Sequence, residues 1–255
     1  MSYAYVTGSL HCEQVALEEI AAQAGTPCYV YSQAGIVERY QAYDRAFGDL
    51  SHQVCYAVKA NSNLSILRLL TSEGSGFDIV SGGELYRVMR AGGDPRKVVF
   101  SGVGKTSDEI EYALREGIHA FNCESYGELG QLNAIAGRHS VKARVALRVN
   151  PDVDASTHPY ISTGMSEHKF GIDISEVEAA YAHASLLPNL DVEGVSCHIG
   201  SQILDPNPLM EAVEALAASR AVKSLGRCDS SPRPRWRYRR TLHPEREGPG
   251  DPLCH

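Results

Sequence analysis

No run of about 18 apolar residues occurs in the sequence, which rules out an ordinary membrane-spanning helix. The opening stretch MSYAYVTGSLHCEQ has no basic region ahead of an apolar one, so it does not read as a secretory leader. Paired cysteine spacing is also missing. The seven cysteines, at 12, 28, 55, 123, 197, 228 and 254, are odd in number and contain no CxxC, the pattern of free thiols in a reducing cytoplasm. Ten histidines include no HExxH or other close ligand pair, so no metal site is expected, and His158 and His168 read as surface residues flanking a loop. GVGKT at 102–106 resembles the end of a phosphate loop, but Val99 stands where that motif needs its first glycine. A dinucleotide-type glycine fingerprint is absent as well.

What is present is a 255-residue chain, 43% apolar, long enough for one large α/β domain or two smaller ones. Its net charge of −7 is unevenly spread. From Arg220 onward eight arginines and one lysine face Asp229, Glu245, Glu247 and Asp251, a net +5, which leaves −12 for residues 1–219. An acidic body gives no electrostatic reason to bind nucleic acid. The segment 220–255 holds five prolines and almost no aliphatic residues, so it is expected to be disordered. It begins where a further strand is due, and a frameshift is one origin of such a break.

Strand-like and helix-like patterns alternate along residues 1–219. Helices are expected over 11–24 and 34–47, with a short strand at 28–31 between them. Strands are expected at 54–58, 77–80, 97–101, 118–122, 143–149 and 192–197. Helices follow, capped by Asn61/Ser62 and Ser81, opened by Ser107 and Ser175, and running over 125–136 and 208–219. Six strands, mostly 20–25 residues apart and each followed by a helix, have the spacing of parallel βαβ units. The pattern predicts a TIM-type (β/α)8 barrel with about six of its eight units present. Such an arc exposes two sheet edges, and poor solubility is the expectation.

The stretch QVCYAVKANSN at 53–63 puts Lys59 at the carboxyl end of the first of these strands, where barrel active sites collect. A partly desolvated lysine there suits attack on a carbonyl; a lysine snorkelling to water is the alternative. Other polar groups recur at strand ends: Asp78, Ser101, Arg148 with Asn150, and His198 with Ser201.

YAVKANSN (56–63), GFDIVSGGEL (76–85), FSGVGKTSDEI (100–110), RVNPDVDASTHPYISTGMSEHKFGI (148–172) and CHIGSQ (197–202) resemble the N-terminal barrel of the diaminopimelate decarboxylase family. The resemblance runs from about Gly25 to Ser219, with five motifs in the family's order. It implies a pyridoxal 5'-phosphate enzyme with Lys59 as the Schiff-base lysine, His198 stacking on the cofactor ring, and Ser201 near its phosphate. Asp78, Glu84 and Arg148 match polar residues around the ring. The implied reaction converts meso-diaminopimelate to L-lysine and carbon dioxide in the cytoplasm, with no nucleic-acid or membrane partner.

The departures carry expectations too. The family's late phosphate-binding glycine loop, its substrate-binding region and its C-terminal β domain have no counterpart here. The family's homodimer is therefore not expected of this chain, and its activity is expected to be impaired. Two other readings remain: a single-domain pyridoxal-phosphate-binding protein of cofactor homeostasis, and a non-catalytic truncated product or interaction protein with a basic tail.

Overall fold

The computed structural model describes residues 2–153, 170–201, 203, 205–219 and, for the backbone, 241–242. The expectations for His158, His168, the loop around them and most of the basic tail lie outside the described residues.

The chain opens with strands that the sequence pattern missed. β1 (Tyr3–Val6) and β2 (Ser9–Cys12) form an antiparallel hairpin, and β3 (Val15–Ala16) pairs with β2. Thr7 and Gly8 turn the hairpin at φ 49° and 88°, the double positive φ of a tight two-residue turn. The helix expected over 11–24 is shortened to α1 (Leu17–Ala24), because Glu13 takes φ 56°, which a right-handed helix does not allow. Residues 28–31 are not a strand; the Val30 carbonyl instead accepts the Tyr3 hydroxyl at 2.6 Å. α2 (Gln33–Ala46) follows, capped by Ser32.

The regular units then begin. β4 (Cys55–Ala57) is shorter than expected and ends in a 3-10 turn over Val58–Ala60. α3 (Leu64–Ser72) is capped by Asn63, not Asn61/Ser62. β5 (Gly76–Ile79) leads to α4 (Gly82–Arg90), capped by Ser81. β6 (Val98–Phe100) leads to α5 (Ser107–Glu116), where Thr106, one residue before the expected Ser107, and Glu109 form a reciprocal capping box. β7 (Ala120–Cys123) leads to α6 (Tyr126–Arg138), capped by Ser125. Beyond β8 (Ala143–Asn150), the two-residue β9 (Ile172–Asp173) pairs with its end. α7 (Val177–Ser185), β10 (Leu190–Ser196) and α8 (Asn207–Ala218) complete the series. Within the tail expected to be disordered, β11 (Thr241–Leu242) pairs in parallel with β4.

The main sheet runs β10-β8-β7-β6-β5-β4-β11, parallel throughout. From β4 to β10 the strands lie in chain order without a reversal point, and the late β11 returns beside β4, which marks a singly wound sheet of the barrel type. One face carries the core: Phe77, Ile79, Phe100, Phe121, Val145 and Leu147 pack with Leu67, Leu85, Ile110, Leu129 and Leu132 from the helices. Each such side chain, fully buried, stabilises the fold by about 1.5–3 kcal/mol. The opposite, inner face starts with a separate small cluster, Cys55, Val99 and Ala120, and becomes polar toward the strand carboxyl ends. Gly76 lies on that face so close to the next strand that an added Cβ would sit 2.5 Å from the Lys97 carbonyl. The expected six-unit arc of a (β/α)8 barrel is the observed architecture.

Candidate active site

Lys59 stands in the 3-10 turn just past β4. Tyr56, three residues earlier in the middle of β4, reaches over this turn and donates its hydroxyl to the Asn61 carbonyl at 3.2 Å; burial pushes that hydroxyl up to about 12. Tyr56 therefore anchors the turn to the core. The amine itself is exposed, not partly desolvated as the sequence suggested, because the strand ends before it and the 3-10 turn carries it out of the packed layer.

The inner-face residues of the next strands form a continuous polar row. Asp78 on β5 is the register partner of Ala57 on β4. Its Oδ1 accepts the Ser101 hydroxyl at 2.6 Å, and Asn122 on β7 donates its Nδ2 to the same Ser101 oxygen at 2.8 Å. Farther along, Glu124 Oε1 accepts from Arg148 Nη1 at 2.8 Å and from the Gly102 N–H at 3.2 Å. Glu124 and Arg148 have side chains only 3% and 14% exposed, while Glu124 Oε2 is buried without a hydrogen-bond partner. The Phe170 ring lies 5.7 Å from the Arg148 guanidinium. Gly171, at φ 84°, makes that approach possible, since a Cβ there would come within 3.0 Å of the Arg148 carbonyl.

Glu84, at the first turn of α4, accepts the Val80 N–H at 2.7 Å. Burial raises its carboxyl above the ordinary range, and the neighbouring Asp78 charge adds to that; the Val80 N–H and the Lys59 charge pull the other way without reversing it. Two carboxyl groups in different environments thus share one neighbourhood with the lysine. His198 and Ser201 are half-buried in the loop after β10, and Ser196, register partner of Arg148, has a buried hydroxyl without a hydrogen-bond partner. The expected residues therefore sit at or near the carboxyl ends of β4, β5, β8 and β10, or at the start of α4.

Sequence reasoning missed Glu124, Asn122 and Lys105. Lys105, from the GVGKT stretch, is not a phosphate ligand. Its side chain is 1% exposed, and its Nζ donates to the Gly102 carbonyl (2.6 Å), the Asn122 carbonyl (2.8 Å) and Glu128 Oε1 (2.6 Å). It ties the loop after β6 to β7 and α6. A lysine so close to a strand end was the available signal, but its direction was not.

An exposed lysine, two carboxyl groups, a guanidinium, an imidazole and the Ser196 hydroxyl match the ring end of an aldehyde cofactor such as pyridoxal phosphate. Beyond β10 the described residues add the half-buried Ser201 with its hydroxyl.

Comparison with known proteins agrees with this chemistry. Residues 33–226 match the family described as pyridoxal-dependent decarboxylase, pyridoxal binding domain. The chain is 57% identical over 215 residues to the diaminopimelate decarboxylase of Pseudomonas aeruginosa, covering 84% of this chain and 52% of that protein. It is 56% identical over 211 residues to that of Vibrio cholerae, covering 83% and 51%. Among solved structures, diaminopimelate decarboxylase from Helicobacter pylori in complex with L-lysine superposes with a TM-score of 0.78 at 44% identity, covering 82% of this chain and 52% of that one. The chain spans about half the length of the curated relatives it matches.

Proposed function

Because the chain belongs to the pyridoxal-dependent decarboxylases, as a diaminopimelate decarboxylase homologue, we propose that it binds pyridoxal 5'-phosphate through Lys59 and carries the barrel side of a site that decarboxylates meso-diaminopimelate to L-lysine. The observation that supports this reading is the gathering of Lys59, Asp78, Glu84, Arg148, His198 and Ser201 at one end of a singly wound parallel sheet. When bound, the cofactor supplies an electron sink for the carbanion left by carbon dioxide loss. Lys59 provides the amine that holds it. His198, just beyond β10, would hold the ring's orientation, and Ser201 would donate to the phosphate. Asp78 and Glu84 differ in setting: Asp78 accepts from Ser101, and Glu84 retains a proton to higher pH.

In the finer reading the protein acts in the cytoplasm. Five free cysteines among the described residues favour a reducing compartment, and among the described residues no helix is long and apolar enough to cross a membrane.

Incubation with pyridoxal phosphate, borohydride reduction and peptide-mass analysis test the reading. A stoichiometric adduct confined to Lys59, absent from Lys59→Ala, is expected. Labelling scattered over many lysines, or none, would overturn it.

A further inference from the structure

Ser101 and Asn122 have no role in the site as described so far, yet they link three consecutive strands on its inner face. Asn122 Nδ2 can only donate, so the Ser101 oxygen is the acceptor of that bond, and its single proton is left for Asp78. The 2.6 Å separation between Ser101 Oγ and Asp78 Oδ1 falls in the range of hydrogen bonds to an ionised oxygen. The chain therefore has a direction, from Asn122 through Ser101 to Asp78. Were the Asn122 amide turned over, its oxygen would take the Ser101 proton, and Ser101 would accept from a protonated Asp78. The two orientations correspond to the two protonation states of one carboxyl.

Asn122 is itself fixed from behind, since its backbone carbonyl accepts from the buried Lys105 ammonium at 2.8 Å. Among the described charged groups, Glu84 on α4 is coupled to Asp78, and Glu124 and Arg148 lie farther along the row. Glu84 feels both Asp78 and Lys59, so the lysine and this carboxylate act within one electrostatic neighbourhood.

We propose that Ser101 and Asn122 are positioning residues: they form a one-directional hydrogen-bond chain that holds Asp78 as an ionised acceptor beside Lys59 and so sets how readily Lys59 captures an aldehyde. The part concerning Asp78 stands on the geometry alone; the part concerning Lys59 rests on the reading of that lysine as the reactive amine.

The test uses the full chain labelled with carbon-13 at aspartate carboxyl groups, with Asp78→Asn to assign the signal. In Ser101→Ala the Asp78 titration midpoint should rise by roughly 0.5–1 pH unit, the effect of losing one donor to a carboxylate. Ser101→Thr, which keeps the hydroxyl, should restore it. Should Ser101→Ala lose its native spectrum, Ser101→Cys, a weaker donor of similar size, serves for the same titration. The second readout is the rate of borohydride-trapped pyridoxal phosphate on Lys59. Near pH 7, where the shifted carboxyl is still ionised, it should fall about threefold to tenfold in Ser101→Ala, because Asp78 released from Ser101 can turn its charge onto the Lys59 ammonium and hold the amine protonated; Ser101→Ala should then add nothing to Asp78→Asn. An unmoved Asp78 midpoint, or equal losses with and without Asp78, overturns the proposal. Absence of any Lys59 adduct in the unaltered chain would instead defeat the cofactor reading, leaving the Asp78 titration to decide on the hydrogen-bond chain.

Discussion

Glu84 is less stable as an ion in the folded chain than in the unfolded one, because burial and the Asp78 charge raise its carboxyl above the ordinary value of 4.5. The folded state holds that proton more tightly. Its contribution to stability is therefore present below the ordinary glutamate range and is lost as pH rises through the raised folded value. Glu84→Gln keeps an acceptor for the Val80 N–H and removes the titration. Its melting temperature at pH 7 should exceed that of the unaltered chain by about 1–3 °C, given that about 1 kcal/mol shifts Tm by roughly 2–4 °C at this size. Thermal melts at pH 4 should show the gain gone; a gain equal at both pH values would refute the assignment. Lys105 presents the opposite case. Its ion pair with Glu128 is buried on both sides, so Lys105→Met strands a carboxylate and removes the donor to two carbonyls. Urea denaturation should report a loss of about 3–5 kcal/mol. Adding Glu128→Gln should return part of it, since the remaining partner is then neutral.

At the level of elements, the helices are fixed by local chemistry and the strands by close approach. Thr106 and Glu109 satisfy each other's backbone groups at the start of α5, and Thr106→Ala should cost about 0.5–2 kcal/mol in the same denaturation experiment. Gly76 is required by packing across the sheet. Because a Cβ there would meet the Lys97 backbone oxygen and the Cys55 sulfur, Gly76→Ala should destabilise by roughly 1–3 kcal/mol. A neutral effect would mean that β4 and β6 can separate at this point. The turn after β4 shows the two influences together: the strand's apolar run is local, but its end, and so the exposure of Lys59, depends on Tyr56 reaching back to Asn61.

Over the whole molecule, burial divides the described residues into two parts of unequal strength. The strands from β4 to β8 and the helices behind them share one continuous apolar cluster. The β1–β3 sheet contributes nothing to that cluster: β1 is exposed along its length, and Cys12 is the one buried residue of the three strands. Hydrogen exchange followed by mass spectrometry should therefore find the amides of Tyr3–Val6 and Ser9–Cys12 opening well before those of Gly76–Ile79 and Ala120–Cys123, since local opening follows the amount of apolar surface released. Equal protection in the two regions would contradict this division.

The sequence by itself determined the order of the βα units, the parallel sheet, the lysine at the first strand end and most of the polar residues around it. Those features are written in short-range periods of apolar residues, in capping residues beside them, and in motifs whose order survives in the chain. The tertiary structure alone decided the rest. The bonds joining Asp78 to Ser101, Ser101 to Asn122, and Glu124 to Arg148 connect residues 21 to 24 positions apart, a separation at which no local pattern records direction or distance. The N-terminal hairpin escaped notice for a related reason: its strands are exposed, so they lack the apolar alternation that burial imposes, and their turn depends on positive φ at Thr7 as well as Gly8. Whether Lys59 is shielded or open was likewise a matter of where β4 stops, and that is settled by packing against the neighbouring strand and turn.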